Sequence, residues 1–213
     1  MSKTINFERV KVVSWDIDGT MYDLERLIKA FKRDLFSRML SRNWIRAWVD
    51  FFRLLRFKRF MDRIRAKGGT YQVGTVPNRD AVAETQDEMY GRILPLIGIE
   101  PGVKELMAWI QAQGIEQVVF SDYLPSTKLK ALGVDVYFST IYAGESLGYL
   151  KPGTDSFQAI IEAHHLEPDQ LLHIGDRTDT DGAAAEQVGY QVAIIGEHFE
   201  TASTLHDALA TPL

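Results

Sequence analysis

Two carboxylates two positions apart, Asp16 and Asp18, close an apolar run and are followed at once by Gly19 and Thr20, in the stretch VKVVSWDIDGTMYD. At an extended strand end, alternation sends both side chains to one side. One carboxylate can then attack an electrophile without a general base, because it is ionised at neutral pH. Its neighbour can protonate a leaving alkoxide and afterwards deprotonate water. Three further polar clusters also follow apolar runs. Ser121 and Asp122 end VVFSD, Lys151 and Pro152 stand in GYLKPG, and Asp176 and Asp181 bracket a loop in HIGDRTDTDG. Asp16 and Asp176 together offer hard oxygen ligands of the kind Mg²⁺ takes, one or two carboxylates plus waters and substrate oxygens. Taken singly, each cluster has a plainer reading. Asp-rich turns are common chain-reversal chemistry, Lys151 can be a solvated loop charge, and Asp179 or Thr180 can cap a following helix.

The elements that must hold these groups show in the periodicity. Residues 10–16 read as a buried strand, rich in β-branched side chains. From residue 24 to about 65 the spacing turns helical: Leu27 or Ile28, Phe31, Leu35, Met39 and Leu40 recur at three and four. After a break at 41–43 the pattern resumes with Trp44, Trp48, Phe52, Leu55 and Met61. A Gly-rich loop at 67–78 and a helix over 79–93 follow. Beyond residue 100 the rhythm alternates. Helices are expected over 101–114, 125–133, 154–166 and 180–189, and strands over 116–122, 136–144, 171–176 and 190–196. Strands alternating with helices of this length imply an α/β fold, a parallel sheet flanked by helices. Residues 1–20 and 99–213 are expected to form that core, with 21–98 as a mainly helical insertion. Open α/β sheets bind ligands outside the carboxyl ends of their strands, so an insertion leaving from Thr20 sits over the site.

In order and type, the four clusters resemble the haloacid dehalogenase (HAD) superfamily. DIDGT looks like its first motif, VVFS its second, Lys151 with Pro152 its third, and GDRTDTD its fourth. The match covers nearly all of the chain outside the insertion, which corresponds to the family's C1-type helical cap. The resemblance implies a Rossmann-like core and a Mg²⁺-dependent phosphatase acting on a small phosphorylated metabolite. It implies Asp16 as the nucleophile that forms an aspartyl-phosphate, and Asp18 as general acid/base with its backbone carbonyl on the metal. Ser121 would bind phosphoryl oxygens and Lys151 offset charge on nucleophile and phosphate. Thr20, Ser121, Asp122 and Lys151 make up the substrate-binding set, helped by backbone N–H groups near Asp18 and Asp122. Asp16, Asp18, Asp176 and Asp181 make up the metal set. Asp181 would act through water or orient Lys151, a place for which Asp179 competes because some relatives use a shorter spacing. Relatives that cleave carbon–halogen bonds lack a carboxylate where Asp18 stands, so Asp18 points to phosphoryl chemistry. Asp122 departs from the Asn of many relatives.

Composition bounds the alternatives. The 213 residues are 46% apolar and 25% charged, ordinary for a globular chain with room for one elaborated domain. No run approaches a membrane span, the first residues lack a signal-peptide pattern, and cysteine is absent, so a cytoplasmic protein is expected. The net charge of −5 hides an asymmetry. Residues 23–67 hold fourteen Lys/Arg against five Asp/Glu, a balance of +9, leaving −14 elsewhere. Aromatics interleave this basic block: Phe31, Phe36, Trp44, Trp48, Phe51, Phe52, Phe57 and Phe60. They read as the cap's own core with a solvated charged face, whose positive field draws anionic substrates. A nucleic-acid platform or an interfacial membrane helix is the less favoured reading, and no nucleic acid is expected as a partner. None of the five histidines is assigned to catalysis or metal; His173 reads as a core residue and His164 as a helix-end cation. Two rival functions stand beside the phosphatase: a phosphomutase of the same superfamily, and an anionic-surface or partner-binding protein with a vestigial site.

Overall fold

Val12–Trp15 forms the first strand, β1, and all four of its residues are buried. That requires a neighbour on each edge, which the remaining strands supply, and cover on both faces, which helices supply. A computed structural model describes residues 5–42 and 44–211; residues 1–4 of the expected core, and Asn43 in the expected helix break, lie outside the described residues. Strands β2 (Glu116–Ser121), β3 (Thr140–Ala143), β4 (Leu171–Gly175) and β5 (Gln191–Ile194) join β1 in one sheet of order β3-β2-β1-β4-β5. Every pairing is parallel, with Trp15 in register with Val119 of β2 and Ile174 of β4. The fold is therefore α/β, and the carboxyl ends of β2, β1 and β4 lie side by side.

Alternation along β1 divides the core. Val13, Trp15 and Ile17 join one apolar cluster and Val12 the other. On the first face pack α4 (Val103–Ala112), α5 (Ser126–Leu132) and α9 (Ala202–Ala210); on the second pack α7 (Asp155–His164) and α8 (Ala183–Gln187). Fully buried side chains such as Leu106, Met107, Ile110 and Phe157 each contribute about 1.5–3 kcal/mol of transfer free energy. The buried indole of Trp15 donates to Gln117 Oε1 at 3.0 Å, and Gln117 donates on to the Met107 carbonyl at 2.9 Å, so this polar pair is satisfied within the core.

Between β1 and α4 lie three long helices: α1 (Leu24–Met39), α2 (Trp44–Arg65) and α3 (Arg79–Ile97). Asp23 caps α1 by accepting from the Arg26 N–H at 2.9 Å, as an Asp before a helix does. The chain leaves the core and returns to it at one place, where Glu100 N–H donates to the Met21 carbonyl at 2.9 Å. Two clasps hold these helices to the core: Arg79 grips Glu145 with two hydrogen bonds of 2.6 and 2.5 Å, and Arg65 Nη2 donates to Asp122 Oδ2 at 2.8 Å. Glu145 belongs to the one-turn helix α6 (Gly144–Leu147). The Gly-rich loop 67–78 docks along the chain before Lys151, through Tyr71 N–H to Gly148 O and Leu150 N–H to Gly69 O. It does not line the cleft above the carboxylates.

Some expectations shift. The strand expected over 136–144 pairs only at Thr140–Ala143, because Asp135–Tyr137 forms a 3-10 turn that leaves Val136 exposed. The helix over 180–189 is split into a wide turn at Thr178–Gly182 and the short α8. Helix α3 runs past Ile93 to Ile97 with Pro95 inside it. Helix α9 was not expected, although Thr201 and Thr204 cap it reciprocally. The aromatics of the basic block divide: Phe57 is buried and Phe31, Phe51 and Phe60 half-buried, whereas Phe36, Trp44, Trp48 and Phe52 are exposed. Only half of that set is cap core.

Candidate active site

Asp16 follows the last residue of β1 and is held there by its N–H, which donates to the Ile174 carbonyl of β4 at 2.9 Å. Its carboxylate is buried and takes a hydrogen bond from Lys151 Nζ; the same ammonium donates to Asp181 Oδ1 at 2.6 Å. Thr20 Oγ1 lies 3.4 Å from Asp16 Oδ2. Asp176 follows β4. Asp16, Asp176 and Asp181 offer carboxylate oxygens that all lie within 4.8 Å of one another.

Charge is unevenly answered in this cluster. Burial pushes the Asp16 carboxyl well above the usual carboxylate range, and the neighbouring Asp181 and Asp18 add to that against the pull of Lys151. Burial raises Asp176 to about 6, with Asp181 adding to it. Asp181 goes the other way: burial opposes its ionisation, but Lys151 and His173 outweigh burial and hold it low. Among the described residues, Lys151 bonds two of the three carboxylates, Asp16 and Asp181, and Asp176 has no cation in contact with it. Hard oxygen donors with excess negative charge and little bulk between them fit a Mg²⁺ ion. Asp16, Asp176 and Asp181 are the side chains that can hold it.

Close backbone approach keeps this cluster together. Gly19 has φ +100°, and a Cβ there would run into the Asp176 carboxylate. Gly19→Ala therefore meets both a disfavoured backbone region and a collision with a cluster carboxylate. We expect it to destabilise the protein by about 2 kcal/mol and to weaken Mg²⁺ binding, read by urea unfolding with and without the metal. A variant with wild-type stability and metal response would show that the approach is unimportant.

Asp18 is not part of the three-carboxylate cluster. Both its oxygens accept from Lys128 Nζ at 2.6 Å, and Oδ1 also accepts from the Tyr22 hydroxyl. Burial disfavours its charge, but Lys128 and Tyr22 outweigh burial and hold the carboxyl below its usual range. Lys128 lies on α5, 1% exposed, with its ammonium 4.5 Å from the centre of the Tyr90 ring of α3. Lys128 is the residue that the motifs did not reveal. In PSTKLKAL it stands three after Pro125 and four before Leu132, a spacing that puts it on the face of Leu132 but does not by itself tell a buried lysine from a solvated one.

The other expected residues fall as follows. Ser121 is buried at the end of β2 and lines the same cleft as Asp16, Asp18, Asp122, Lys151, Asp176 and Asp181. Asp122 is tied into the structure, its carboxylate accepting from Arg65 and from the Lys151 backbone N–H at 2.9 Å and its carbonyl from the Glu145 N–H at 2.9 Å. Asp179 points outward and pairs with Arg177 at 2.7 Å, whereas Asp181 faces Lys151; of the two competitors, Asp181 is the one at the cluster. His173 is buried in β4, its Nδ1 2.8 Å from Ser14 Oγ and its Nε2 3.5 Å from Asp181 Oδ1. Burial keeps it neutral by lowering its pKa, so it backs the cluster from within the core.

Comparison with known proteins supplies a family and a fold likeness. The family model for haloacid dehalogenase-like hydrolases matches residues 10–189. A probable phosphoglycolate phosphatase of Pseudomonas putida is 25% identical over 123 residues, which take in 56% of this chain and 49% of that protein. A glyceraldehyde 3-phosphate phosphatase of Methanocaldococcus jannaschii is 21% identical over 194 residues, 84% of this chain and 82% of its own. The crystal structure of a 2-haloacid dehalogenase from Pseudomonas syringae pv. Tomato DC3000 superposes with a TM-score of 0.65 at 19% identity, covering 94% of this chain and 98% of that one; at that identity the likeness speaks for the fold. With the family model spanning β1 to the end of α8 and the motif residues meeting in one cleft, the chain belongs to the haloacid dehalogenase-like hydrolases.

Proposed function

We propose that the protein is a Mg²⁺-dependent phosphatase that hydrolyses a small phosphomonoester through an aspartyl-phosphate on Asp16. The observation that carries this reading is the convergence of Asp16, Asp18, Ser121, Lys151 and Asp176 on one cleft, at the carboxyl ends of three adjacent parallel strands. The phosphatases among its relatives support the same reaction class. In the first step an Asp16 oxygen bonds to phosphorus as the bond to the ester oxygen breaks, and Asp18 delivers a proton to that leaving oxygen. In the second, Asp18 takes a proton from water, whose oxygen bonds to phosphorus as the acyl-phosphate bond breaks, freeing Asp16 and inorganic phosphate. Lys128 favours the ionised Asp18 that the second step needs. Arrival of an anionic phosphoryl group beside Asp18 raises its proton affinity for the first. Lys151 offsets charge on Asp16 and on the transferred group, and the Ser121 hydroxyl donates to a phosphoryl oxygen. When bound at Asp16, Asp176 and Asp181, with the Asp18 carbonyl, Mg²⁺ supplies further charge compensation for the phosphoryl oxygens. We place the enzyme in the cytoplasm, as the absence of cysteine suits; no helix among the described residues is long and apolar enough to cross a membrane.

The test is phosphate release from a panel of phosphomonoesters, with Mg²⁺ and after chelation. Chelation is expected to reduce the rate by at least about 100-fold, with recovery on adding Mg²⁺. Turnover that survives chelation would overturn the metal role. Transfer of the phosphoryl group back to substrate rather than to water, under a bisphosphorylated activator, would select the phosphomutase reading instead.

A further inference from the structure

The cleft over Asp16 measures about 750 Å³, the size of sites that take ligands far larger than a two-carbon acid. Its floor is the polar cluster at the strand ends. Its walls are mostly apolar, with Gln86, Tyr90 and Tyr123 as further polar lining. Helix α1 contributes Leu27, Ile28 and Phe31, helix α2 contributes Leu54 and Leu55, and helix α3 contributes Met89. A group attached to a phosphoryl bound at Asp16 extends toward these side chains, because α1, α2 and α3 line the cleft above the strand ends.

A substrate carrying a second anionic group would need a cation to meet it there. Among the described residues, each cation that lines the cleft is already matched. Lys58 Nζ lies 2.6 Å from Asp62, Arg65 Nη2 lies 2.8 Å from Asp122, and Arg177 Nη2 lies 2.7 Å from Asp179. Lys151 is held by Asp16 and Asp181. Three cap cations with no acidic partner among the described residues, Arg56, Arg59 and Arg63, line a separate depression together with Trp44, Trp48 and Phe52. No unpaired cap cation among the described residues lines the cleft itself, so the wall that a leaving group touches offers no free cation. Burying a carboxylate against aliphatic carbon without a partner is costly, whereas a hydrocarbon gains from the same surface.

We propose that the leaving group of the substrate is hydrophobic, an alkyl or aryl alcohol seated against α1, α2 and α3, and not a short carboxylated metabolite. This rests on the phosphatase reading of the same cleft and narrows it.

The experiment compares monoesters of matched chemical reactivity. Ethyl and hexyl phosphate release alcohols of nearly equal basicity, so their ratio reports contact and not bond strength. Hexyl phosphate is expected to exceed ethyl phosphate in kcat/KM by at least about 10-fold, since each added methylene meets apolar wall. Phosphoglycolate, which carries a carboxylate, is expected to be poorer than either. Calorimetry with hexylphosphonate and ethylphosphonate on the Mg²⁺-loaded protein should rank the two chains the same way without any turnover. Ile28→Lys places an unmatched cation on the wall at a position already 44% exposed, where folding tolerates it. It should lower the hexyl/ethyl ratio and raise activity on phosphoglycolate. A wild-type preference for phosphoglycolate or for ethyl phosphate would overturn the hydrophobic leaving group and leave the phosphatase reading standing. No Mg²⁺-dependent release from any ester would overturn both.

Discussion

Asp16→Asn is expected to lower phosphate release by about 10,000-fold or more, because the loss of a nucleophile removes the covalent route altogether. The same substitution should leave the fold intact and, in chelator, make it firmer. Asparagine fills the volume of aspartate, so β1 and its neighbours have nothing to repack. What changes is charge. Wild-type protein without metal confines the oxygens of Asp16, Asp176 and Asp181 within 4.8 Å of one another, and burial alone disfavours an ionised Asp16. The neutral amide loses an attraction to Lys151 but also two repulsions and the desolvation cost, and Lys151 keeps Asp181 at 2.6 Å. We expect a gain of about 1 kcal/mol in the urea-unfolding free energy. Adding Mg²⁺ should raise the wild-type midpoint more than that of the variant, since a ligand stabilises the form that binds it. Retained Mg²⁺-dependent turnover in Asp16→Asn would sink the covalent mechanism. A variant several kcal/mol less stable would show that Asp16 is chiefly a structural partner of Lys151.

Lys128→Met should damage both stability and turnover, for separable reasons. The Lys128 ammonium is sealed between Asp18 and the Tyr90 ring. Methionine keeps most of the hydrocarbon length and removes the charge, which leaves the Asp18 carboxylate, about one-third exposed, without its cation. Breaking a buried pair from one side costs about 3–5 kcal/mol; the partial exposure of Asp18 puts our expectation at about 2 kcal/mol. The double variant Lys128→Met/Asp18→Asn should recover part of that loss, a coupling that a denaturation cycle measures directly. In turnover, an unclamped Asp18 is mispositioned for proton transfer, so kcat should fall about 10- to 100-fold with little change in KM. Wild-type kcat in Lys128→Met would rule out a positioning role. Equal stability of the single and double variants would rule out the ion pair as a source of stability.

Much of the fold and of the site is legible in the amino-acid sequence, and the reason is geometric. Asp16, Ser121 and Asp176 each follow an apolar run, and strands of a parallel sheet buried on both faces read as such runs. Their shared end is then where polar side chains can meet a ligand. Asp18 and Gly19 are legible as a turn leaving that end. Lys128 is not, because a helix shows one averaged face, and a lysine on it reads as a solvent charge until the partner across the gap is known. The same holds for Asp122: its place after Ser121 is visible in the chain, but its clasp with Arg65 joins positions far apart in sequence. The strand expected over 136–144 forms only in its second half, Thr140–Ala143, because β-branched residues mark a pleated surface only where a neighbour exists. Val136 has none and lies exposed. For the cap, periodicity finds the helices but does not tell which aromatic faces the core, and Trp44 and Trp48 lie outside.

The position of β1 has a consequence for how the chain acquires its shape. The strand is the first made and the innermost, yet its two edges wait for Glu116 and the residues after it on one side and for Leu171 and its successors on the other. During synthesis all three cap helices emerge before either edge is covered. Closure of the sheet is therefore a late event with long loops to bring together, the kind of topology that folds slowly. Until then Val12, Val13 and Trp15 are a sticky segment on the nascent chain. Early interruption of translation anywhere between the cap and β4 leaves that segment open, so truncated products ending there should be recovered from aggregates and not as folded fragments.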